Sequence, residues 1–261
     1  MRLILIRHAE PDYEHNTITE KGKREAAALA ERVKTWNVTD FYMSPLGRAV
    51  DTAKPSLEAL GRTAEILPWA KEFDYRCTDP VTGRNHLCWD FVPSHWTSDD
   101  ACFTHEDWVN ARPMCENPEI AQNFRIVCSE LDKLLLRYGY KRDGKIYRTV
   151  GRKQENRLRT AGPNNSDSGF DDTVKDTETT VVIFCHLGAA CMMISHLLNI
   201  PFITLPHGLF IPPTGVNILT TEERWEDEAS FRAQAIGDCA HLLAAGEKLS
   251  SAGAFTPAFQ L

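Results

Sequence analysis

Short apolar segments alternate with amphipathic helical patterns in this sequence, and this alternation constrains its fold most strongly. Four segments have the length and composition of buried strands: residues 2–7, 40–43, 64–67 and 179–184. Between the first two, residues 20–34 place Ala26, Leu29 and Val33 at helical spacing, with Thr19 as the capping residue. Strands that alternate with helices predict a three-layer α/β/α fold with a mostly parallel central sheet.

Further helices are expected from Ser44-Pro45, with Pro45 at the first helical position and a bend or break near Pro55, and over residues 119–138 and 188–198. Residues 142–145 have the composition of a hairpin turn. Two late strands are predicted at residues 216–220 and 231–235, and the acidic residues between them predict a solvated turn.

The middle of the chain does not follow this alternation. Residues 70–118 contain several tryptophans among Pro, Asp and His without a sustained period, and residues 152–177 are polar enough to predict a mobile loop. We therefore expect a single domain over residues 1–261, with an insertion at about 70–178 that forms a cap and this mobile loop.

Composition excludes several classes of function. The net charge of -7 argues against nucleic-acid binding, although a few arginines in a cleft can still attract a small anion. The apolar start is too short for a signal peptide or a membrane span, and the 8 cysteines form no CxxC pair. We expect a cytoplasmic protein with free thiols, no membrane partner and no metal; a homodimer is compatible with the sequence.

Three motifs place polar residues directly after predicted strands. The first is Arg7-His8-Ala9-Glu10, the second is Ser44-Pro45-Leu46-Gly47-Arg48, and the third is His186-Leu187-Gly188. Ligands of open α/β sheets bind at this edge of the sheet. The three motifs therefore predict one site.

The residue types in these motifs suit phosphoryl transfer. Two arginines can clamp a phosphate with forked donors, as Arg7 and Arg48 would. A neutral imidazole such as His8 can attack phosphorus, and a second imidazole such as His186 can donate to a phosphoryl oxygen. The helix after His186 would supply backbone N–H groups.

These motifs resemble those of the histidine phosphatase superfamily, also called the phosphoglycerate mutase-like superfamily. Arg7-His8 is similar to its Arg-His-Gly signature, the Ser44 to Ala53 segment to its second-arginine helix, and His186 to its second histidine. The resemblance covers roughly residues 1–75 and 179–243. It implies His8 as the phosphate-accepting nucleophile, and Arg7, Arg48 and His186 as phosphate ligands, with no cofactor.

The sequence departs from the family pattern at three points. Ala9 and Leu187 stand where the family usually has Gly, although Gly188 follows one residue later. Asn16 lies off the usual spacing and is only a weak phosphate-site candidate. The family's proton donor follows the third strand, where Glu72 is the first choice here and Asp74 the second.

The resemblance leaves three functions open. The first is a phosphatase that acts on a small phosphorylated metabolite. The second is a phosphoglycerate mutase-type phosphotransferase, but the residues after Glu72 do not match the mutase Arg-His-Tyr-Gly stretch. The third is a non-catalytic protein that binds a phosphorylated ligand, which retention of both histidines and both arginines disfavours.

Overall fold

The computed structural model describes residues 1–151, 179–225, 227–254 and 256–260. The loop predicted at residues 152–177 lies outside this part of the chain. Among the described residues, no helix has both the length and the hydropathy needed to cross a bilayer.

Twelve strands are present in the described residues: β1 Arg2–Arg7, β2 Pro11–Asp12, β3 Thr17–Ile18, β4 Asp40–Met43, β5 Glu65–Ile66, β6 Arg76–Thr78, β7 Asn85–Leu87, β8 Tyr140–Asp143, β9 Ile146–Thr149, β10 Thr180–Cys185, β11 Val216–Trp225 and β12 Glu228–Asp238. Seven α-helices accompany them: α1 Glu20–Val33, α2 Gly47–Leu60, α3 Pro93–Trp96, α4 Pro118–Leu136, α5 Leu187–Leu198, α6 Thr204–Gly208 and α7 Ala240–Ala245.

Eight of these strands form one sheet in the order β5-β4-β10-β1-β11-β12-β9-β8. The first four strands in this order pair in parallel, and the remaining pairs are antiparallel. Only β11 and β9 run against the direction of β1, so the α/β class and the predominance of one strand direction are confirmed. The central position of β1 explains its almost wholly apolar sequence, because both of its faces are covered.

Helices cover both faces of the sheet and create the expected three layers. Successive residues of β1 point to opposite faces, so Leu3 and Leu5 join one buried cluster while Ile4 and Ile6 join another. The first cluster contains the apolar faces of α4 and α5. The second contains Leu29 of α1 together with residues of α2.

The stretch of residues 70–118, expected to begin an insertion, packs into the buried core. Its side chains Cys88, Trp108 and Met114 belong to the same buried cluster as Leu5 of the central strand. Trp108 is fully buried and lies edge-on to Phe124 of α4, with ring centroids 5.2 Å apart. Its cysteines are free thiols. This stretch therefore closes one face of the domain with short strands and helical turns.

The expected start of α2 at Pro45 is wrong, and the helix is not broken at Pro55. The helix begins at Gly47 rather than at Pro45, and it continues through Pro55 to Leu60 without a break. A side chain at position 47 would place its Cβ 2.1 Å from the carbonyl oxygen of Asn16. Gly47 therefore lets the β2–β3 hairpin approach the start of α2.

The late hairpin is longer than predicted. Glu222 and Glu228, expected in a solvated turn, lie within β11 and β12. Their carboxylates pair with Arg232 at 2.9 Å and with Arg148 at 3.0 Å. Cross-strand ion pairs let acidic residues occupy strands on the solvated side of a sheet, which a pattern of hydrophobicity does not reveal.

Candidate active site

The three motifs meet at the carboxyl ends of β1, β4 and β10. Backbone pairing fixes this arrangement, because Phe184 of β10 pairs with both Ile6 of β1 and Met43 of β4. Ser44 and His186 follow directly after β4 and β10. The imidazoles of His8 and His186 lie with ring centroids 5.1 Å apart.

The His8 imidazole is held in one tautomer. Its Nδ1 lies 2.7 Å from the carbonyl oxygen of Ala9, and because a carbonyl can only accept, Nδ1 carries the proton. Burial, reinforced by the charges of Arg7 and Arg48, lowers the pKa of His8 from 6.5 to about 3. The ring is therefore neutral at physiological pH, with a lone pair on Nε2.

The Arg7 guanidinium is buried between two distant backbone segments. Its Nη1 donates to the carbonyl oxygen of Ile211 at 2.6 Å. On another side, a Cβ at Gly253 would lie 2.9 Å from Nη2, so only the backbone of a glycine fits against the guanidinium. Gly253 also has a positive φ of 82°. These contacts fix the guanidinium beside His8.

Arg48, in the first turn of α2, is oriented by the β2–β3 hairpin. Its Nη1 donates to Asn16 Oδ1 at 3.2 Å, and its guanidinium lies 5.4 Å from the ring centroid of Tyr13. The Tyr13 side chain is 66% exposed. Asn16, the weak candidate from sequence, therefore lies at the site as a partner of Arg48.

His186 occupies the N-cap position of α5 without a side-chain capping hydrogen bond, and it is completely buried. Its Nε2 lies 2.7 Å from Ser44 Oγ. Its Nδ1 has no hydrogen-bond partner within the described ranges. Burial is the main cause that lowers the pKa of His186, and the nearby His8, Arg48 and Arg7 act in the same direction.

Glu72 reaches the same site. Glu72 Oε1 accepts hydrogen bonds from the backbone N–H groups of Phe73 at 2.9 Å and Ala189 at 3.2 Å. Burial raises the pKa of Glu72, although these bonds and the charge of Arg7 oppose the shift. Asp74 is exposed. The α5 N-terminus, expected to donate to phosphate, thus uses the N–H of Ala189 to hold Glu72.

Ala9 and Leu187, the two residues that stand where the family usually has Gly, are accommodated by the local backbone. Ala9 is buried without a positive φ, and its N–H donates to Thr52 Oγ1 at 2.9 Å. Leu187 is buried in the first turn of α5. The close approach between α5 and the Glu72 side chain occurs at Gly188 instead, because a Cβ there would lie 2.7 Å from Glu72 Oε1.

His8, Glu72 and His186 also form a set of groups that could hold a metal ion. One ligand atom from each lies within 4.8 Å of the others. The positive charges of Arg7 and Arg48 oppose a cation there. At a separation of about 5 Å and an effective dielectric constant of about 20, a dication and one guanidinium repel by about 7 kcal/mol. The same charges attract a phosphate dianion, so the arrangement suits an anion.

Sequence analysis missed three contributors to this site: Ser44 as a partner of His186, Ile211 and Gly253. Ser44 stands inside the second motif, so its position was a usable signal. Ile211 contributes only its carbonyl oxygen and Gly253 only its backbone. Neither contribution depends on a side chain that a motif could reveal.

The N-terminal third of the chain matches a known family model. The model describes the histidine phosphatase superfamily (branch 1) and matches residues 3–87. A 2,3-bisphosphoglycerate-dependent phosphoglycerate mutase from Thermoplasma acidophilum is 41% identical over 61 residues. That match covers 20% of this chain and only 30% of the length of the mutase.

Solved structures of similar fold extend over most of the chain. A phosphoserine phosphatase from Entamoeba histolytica, solved with phosphoserine, covers 92% of this chain and 98% of its own at 17% identity and a TM-score of 0.55. A mycobacterial glucosyl-3-phosphoglycerate phosphatase, solved with inorganic phosphate, covers 92% and 98% at 15% identity and a TM-score of 0.52. At these identities the likeness concerns the fold.

Proposed function

We propose that the chain is a member of the histidine phosphatase superfamily, whose family model matches residues 3–87. As such it would be a phosphohydrolase that removes phosphate from a small phosphorylated metabolite through a phosphohistidine on His8. One observation carries this proposal. The bond from His8 Nδ1 to the Ala9 carbonyl leaves the Nε2 lone pair free, in a buried site where the charges of Arg7 and Arg48 both act on the ring. A neutral nucleophile is thereby placed where a dianion binds most favourably.

The first step transfers the phosphoryl group to the protein. Arg7 and Arg48 bind the phosphoryl oxygens, and His8 Nε2 attacks phosphorus in line with the leaving oxygen. The N–P bond forms as the P–O bond to the substrate breaks, and Glu72 gives its proton to the leaving alkoxide. His186 donates to a phosphoryl oxygen.

The second step returns the protein to its starting state. Glu72, now ionised, takes a proton from a water molecule whose oxygen attacks phosphorus and displaces His8 Nε2. Inorganic phosphate leaves, Glu72 is protonated again and His8 is neutral. The raised pKa of Glu72 suits both roles, because burial favours the protonated carboxyl that the first step needs and makes the carboxylate a stronger base in the second.

We assign the choice of leaving group to the insertion, which supplies the walls beside Glu72. The indole N–H of Trp89 donates to the Phe73 carbonyl oxygen at 2.7 Å, and Phe73 is buried. The Trp89 indole nitrogen also lies 3.1 Å from a Cβ built at Gly188. The insertion therefore contacts the side of the site where the leaving oxygen departs.

The test is direct detection of the phosphoprotein. We expect protein quenched during turnover of a labelled alkyl phosphate to carry acid-labile, base-stable phosphate on His8. His8→Ala should abolish both labelling and phosphate release. His196→Gln is the matched control, because His196 is buried at the other end of α5. Full activity of His8→Ala would exclude this mechanism.

A phosphoglycerate mutase-type phosphotransferase is the second candidate, and the similarity to the Thermoplasma acidophilum mutase favours it. The two differ in the acceptor of the phosphoryl group, which is water in one and a second hydroxyl in the other. With 3-phosphoglycerate as substrate, we expect free phosphate or no reaction. Formation of 2-phosphoglycerate faster than phosphate release would favour the mutase.

A further inference from the structure

The hydrogen bond between the buried side chains of Ser44 and His186 indicates which nitrogen of the His186 ring carries the proton. Ser44 Oγ and His186 Nε2 are 2.7 Å apart, and both side chains are completely buried. The ladder between β4 and β10 fixes the pair, since the Ser44 N–H donates to the Phe184 carbonyl oxygen at 2.9 Å. The second ring nitrogen, His186 Nδ1, is buried without a partner in the described part of the chain.

Two arrangements of hydrogens are compatible with this distance. A neutral imidazole has one N–H and one acceptor nitrogen, and a hydroxyl has one donor and two lone pairs. Either the Ser44 hydroxyl donates to Nε2, so that Nδ1 carries the ring proton, or Nε2–H donates to Ser44. The backbone N–H of Leu46, 3.2 Å from Ser44 Oγ, already occupies one lone pair of the hydroxyl.

The first arrangement leaves fewer buried groups unsatisfied. If Nε2–H donated to Ser44, the hydroxyl hydrogen would have no acceptor among the described residues, and the Nδ1 lone pair would also be unpaired. If Ser44 donates, only Nδ1–H is left without a partner. A buried polar group without a partner costs free energy, so the arrangement with one such group is preferred.

We propose that Ser44 is a positioning residue, whose hydroxyl donates to His186 Nε2 and so fixes the ring proton on Nδ1, where it is presented to a phosphoryl oxygen. This inference rests on the proposed function for the identity of the acceptor. A phosphoryl oxygen can only accept hydrogen bonds. In the other tautomer, the Nδ1 lone pair would face the lone pairs of this oxygen and no hydrogen bond could form. Ser44 touches no substrate atom in this scheme and acts through His186.

Nitrogen NMR of the ring tests the tautomer directly. In the ¹⁵N-labelled protein at pH 7, we expect Nδ1 of His186 to be protonated and Nε2 to be an acceptor, with the signals assigned by their loss in His186→Gln. Inorganic phosphate should shift the Nδ1–H resonance. Ser44→Ala should move the proton partly or wholly to Nε2, and Ser44→Thr, which keeps the hydroxyl, should restore it to Nδ1.

Kinetics supply the second readout. We expect Ser44→Ala to lower kcat on the order of 10-fold, less than the roughly 100- to 1,000-fold cost of deleting a transition-state donor outright. Ser44→Thr should recover most of the loss. Ser56→Ala is the matched control, because Ser56 is also buried in the same region of the chain and its hydroxyl has no partner among the described residues.

The outcomes separate this inference from the proposed function. A ring proton on Nε2 in the parent protein, or a tautomer that Ser44→Ala leaves unchanged, would overturn the role of Ser44 even in an active phosphatase. If Ser44→Ala does not fold, the parent spectrum and Ser44→Thr still decide the question. A protein that hydrolyses no phosphomonoester but shows the Nδ1 proton and its shift in Ser44→Ala would refute the function and keep the positioning role.

Discussion

Glu72 and Asp74 stand two positions apart in the sequence, but their side chains differ in exposure to solvent. Glu72 Oε1 is held by two backbone N–H groups, whereas Asp74 is exposed to solvent. Sequence reasoning placed Glu72 first and Asp74 second as the candidate acid but could not decide between them, because an irregular loop has no period that tells which side chain points inward. The hydrogen bond from Ala189, more than a hundred positions later, settles the orientation of Glu72.

Substitution of Glu72 should affect substrates according to their leaving groups. Glu72→Gln keeps the shape of the side chain and removes its acidic proton, so turnover of alkyl phosphates should fall by about 100- to 10,000-fold. p-Nitrophenyl phosphate should be affected much less, since nitrophenolate leaves without protonation. Steady-state kinetics on both substrates give the measurement, with Asp74→Asn as the control. Equal losses on both substrates would mean that Glu72 only shapes the pocket.

The pH dependence of alkyl phosphate hydrolysis should reflect the same group. A general acid works only when protonated, so kcat/KM should fall as pH rises through the raised pKa of Glu72. The His8 imidazole, with a pKa of about 3, should stay neutral at every pH of the profile well above this value. We expect the alkaline limb of the profile to disappear in Glu72→Gln. An alkaline limb that persists in this variant would assign it to another group.

Chelation should leave the activity intact. Although His8, Glu72 and His186 could hold an ion, the adjacent guanidinium groups provide the positive charge that a phosphate needs. After exhaustive dialysis against EDTA, phosphate release from an alkyl phosphate should be unchanged. Loss of turnover that a divalent ion restores would identify a metal site at these three residues.

At the scale of elements, the sequence predicted best where the apolar residues follow one clear pattern. The bounds of β1, β4 and α1 agree with the expected segments to within a residue, because each has one dominant apolar pattern. The late hairpin was underestimated, because its outer half is polar and stabilised by ion pairs. The small strands and turns of residues 70–118 depend on tertiary packing around Trp108 and leave no local period in the sequence.

Gly188 couples helix α5 to the candidate acid. A methyl group at this position would lie 2.7 Å from Glu72 Oε1 and 3.1 Å from Trp89 Nε1. Gly188→Ala should therefore displace Glu72 and lower kcat for alkyl phosphates on the order of 100-fold, the cost of a misplacement of about 1 Å. A crystal structure of the variant should show the displaced carboxylate.

The matched control for this change is Gly208→Ala in α6, where a Cβ would meet no atom within 4 Å. Alanine in a helix normally stabilises a protein by about 0.4–1 kcal/mol relative to glycine. Gly208→Ala should thus keep full activity. If Gly188→Ala were equally active, the contact with Glu72 would not control the acid.

For the whole molecule, buried histidines should make the fold sensitive to acid. Burial lowers the pKa of His8 to about 3 and that of His241 to about 4, and it also lowers that of His186. Below pH 6.5 these rings bind protons in the unfolded chain but not in the folded one. The free energy of unfolding should therefore decrease as the pH is lowered, by up to roughly 1.4 kcal/mol per pH unit for each such histidine.

Glu72 and Glu25, whose pKa values burial raises, act in the opposite direction and offset part of this loss near their own pKa values. Urea unfolding at pH 7 and pH 5 gives the measurement, and we expect a lower midpoint at pH 5. His241→Gln should reduce the difference between the two midpoints, because it removes one histidine whose protonation is disfavoured in the folded protein. Equal midpoints at the two pH values would contradict this account.

The position of β1 at the centre of the sheet has a consequence for biosynthesis. Leu5, near the N-terminus, pairs with Ile183 on one side and Asn217 on the other, so both neighbours of this strand are translated late. At 5–20 residues per second, the ribosome needs on the order of ten seconds or more to supply them. During that time an apolar strand with two open edges must be kept from other nascent chains. The same delay means that Arg7 and His8 meet His186 only after most of the chain has emerged, so a stalled or truncated translation product would carry the first motif without a phosphate site.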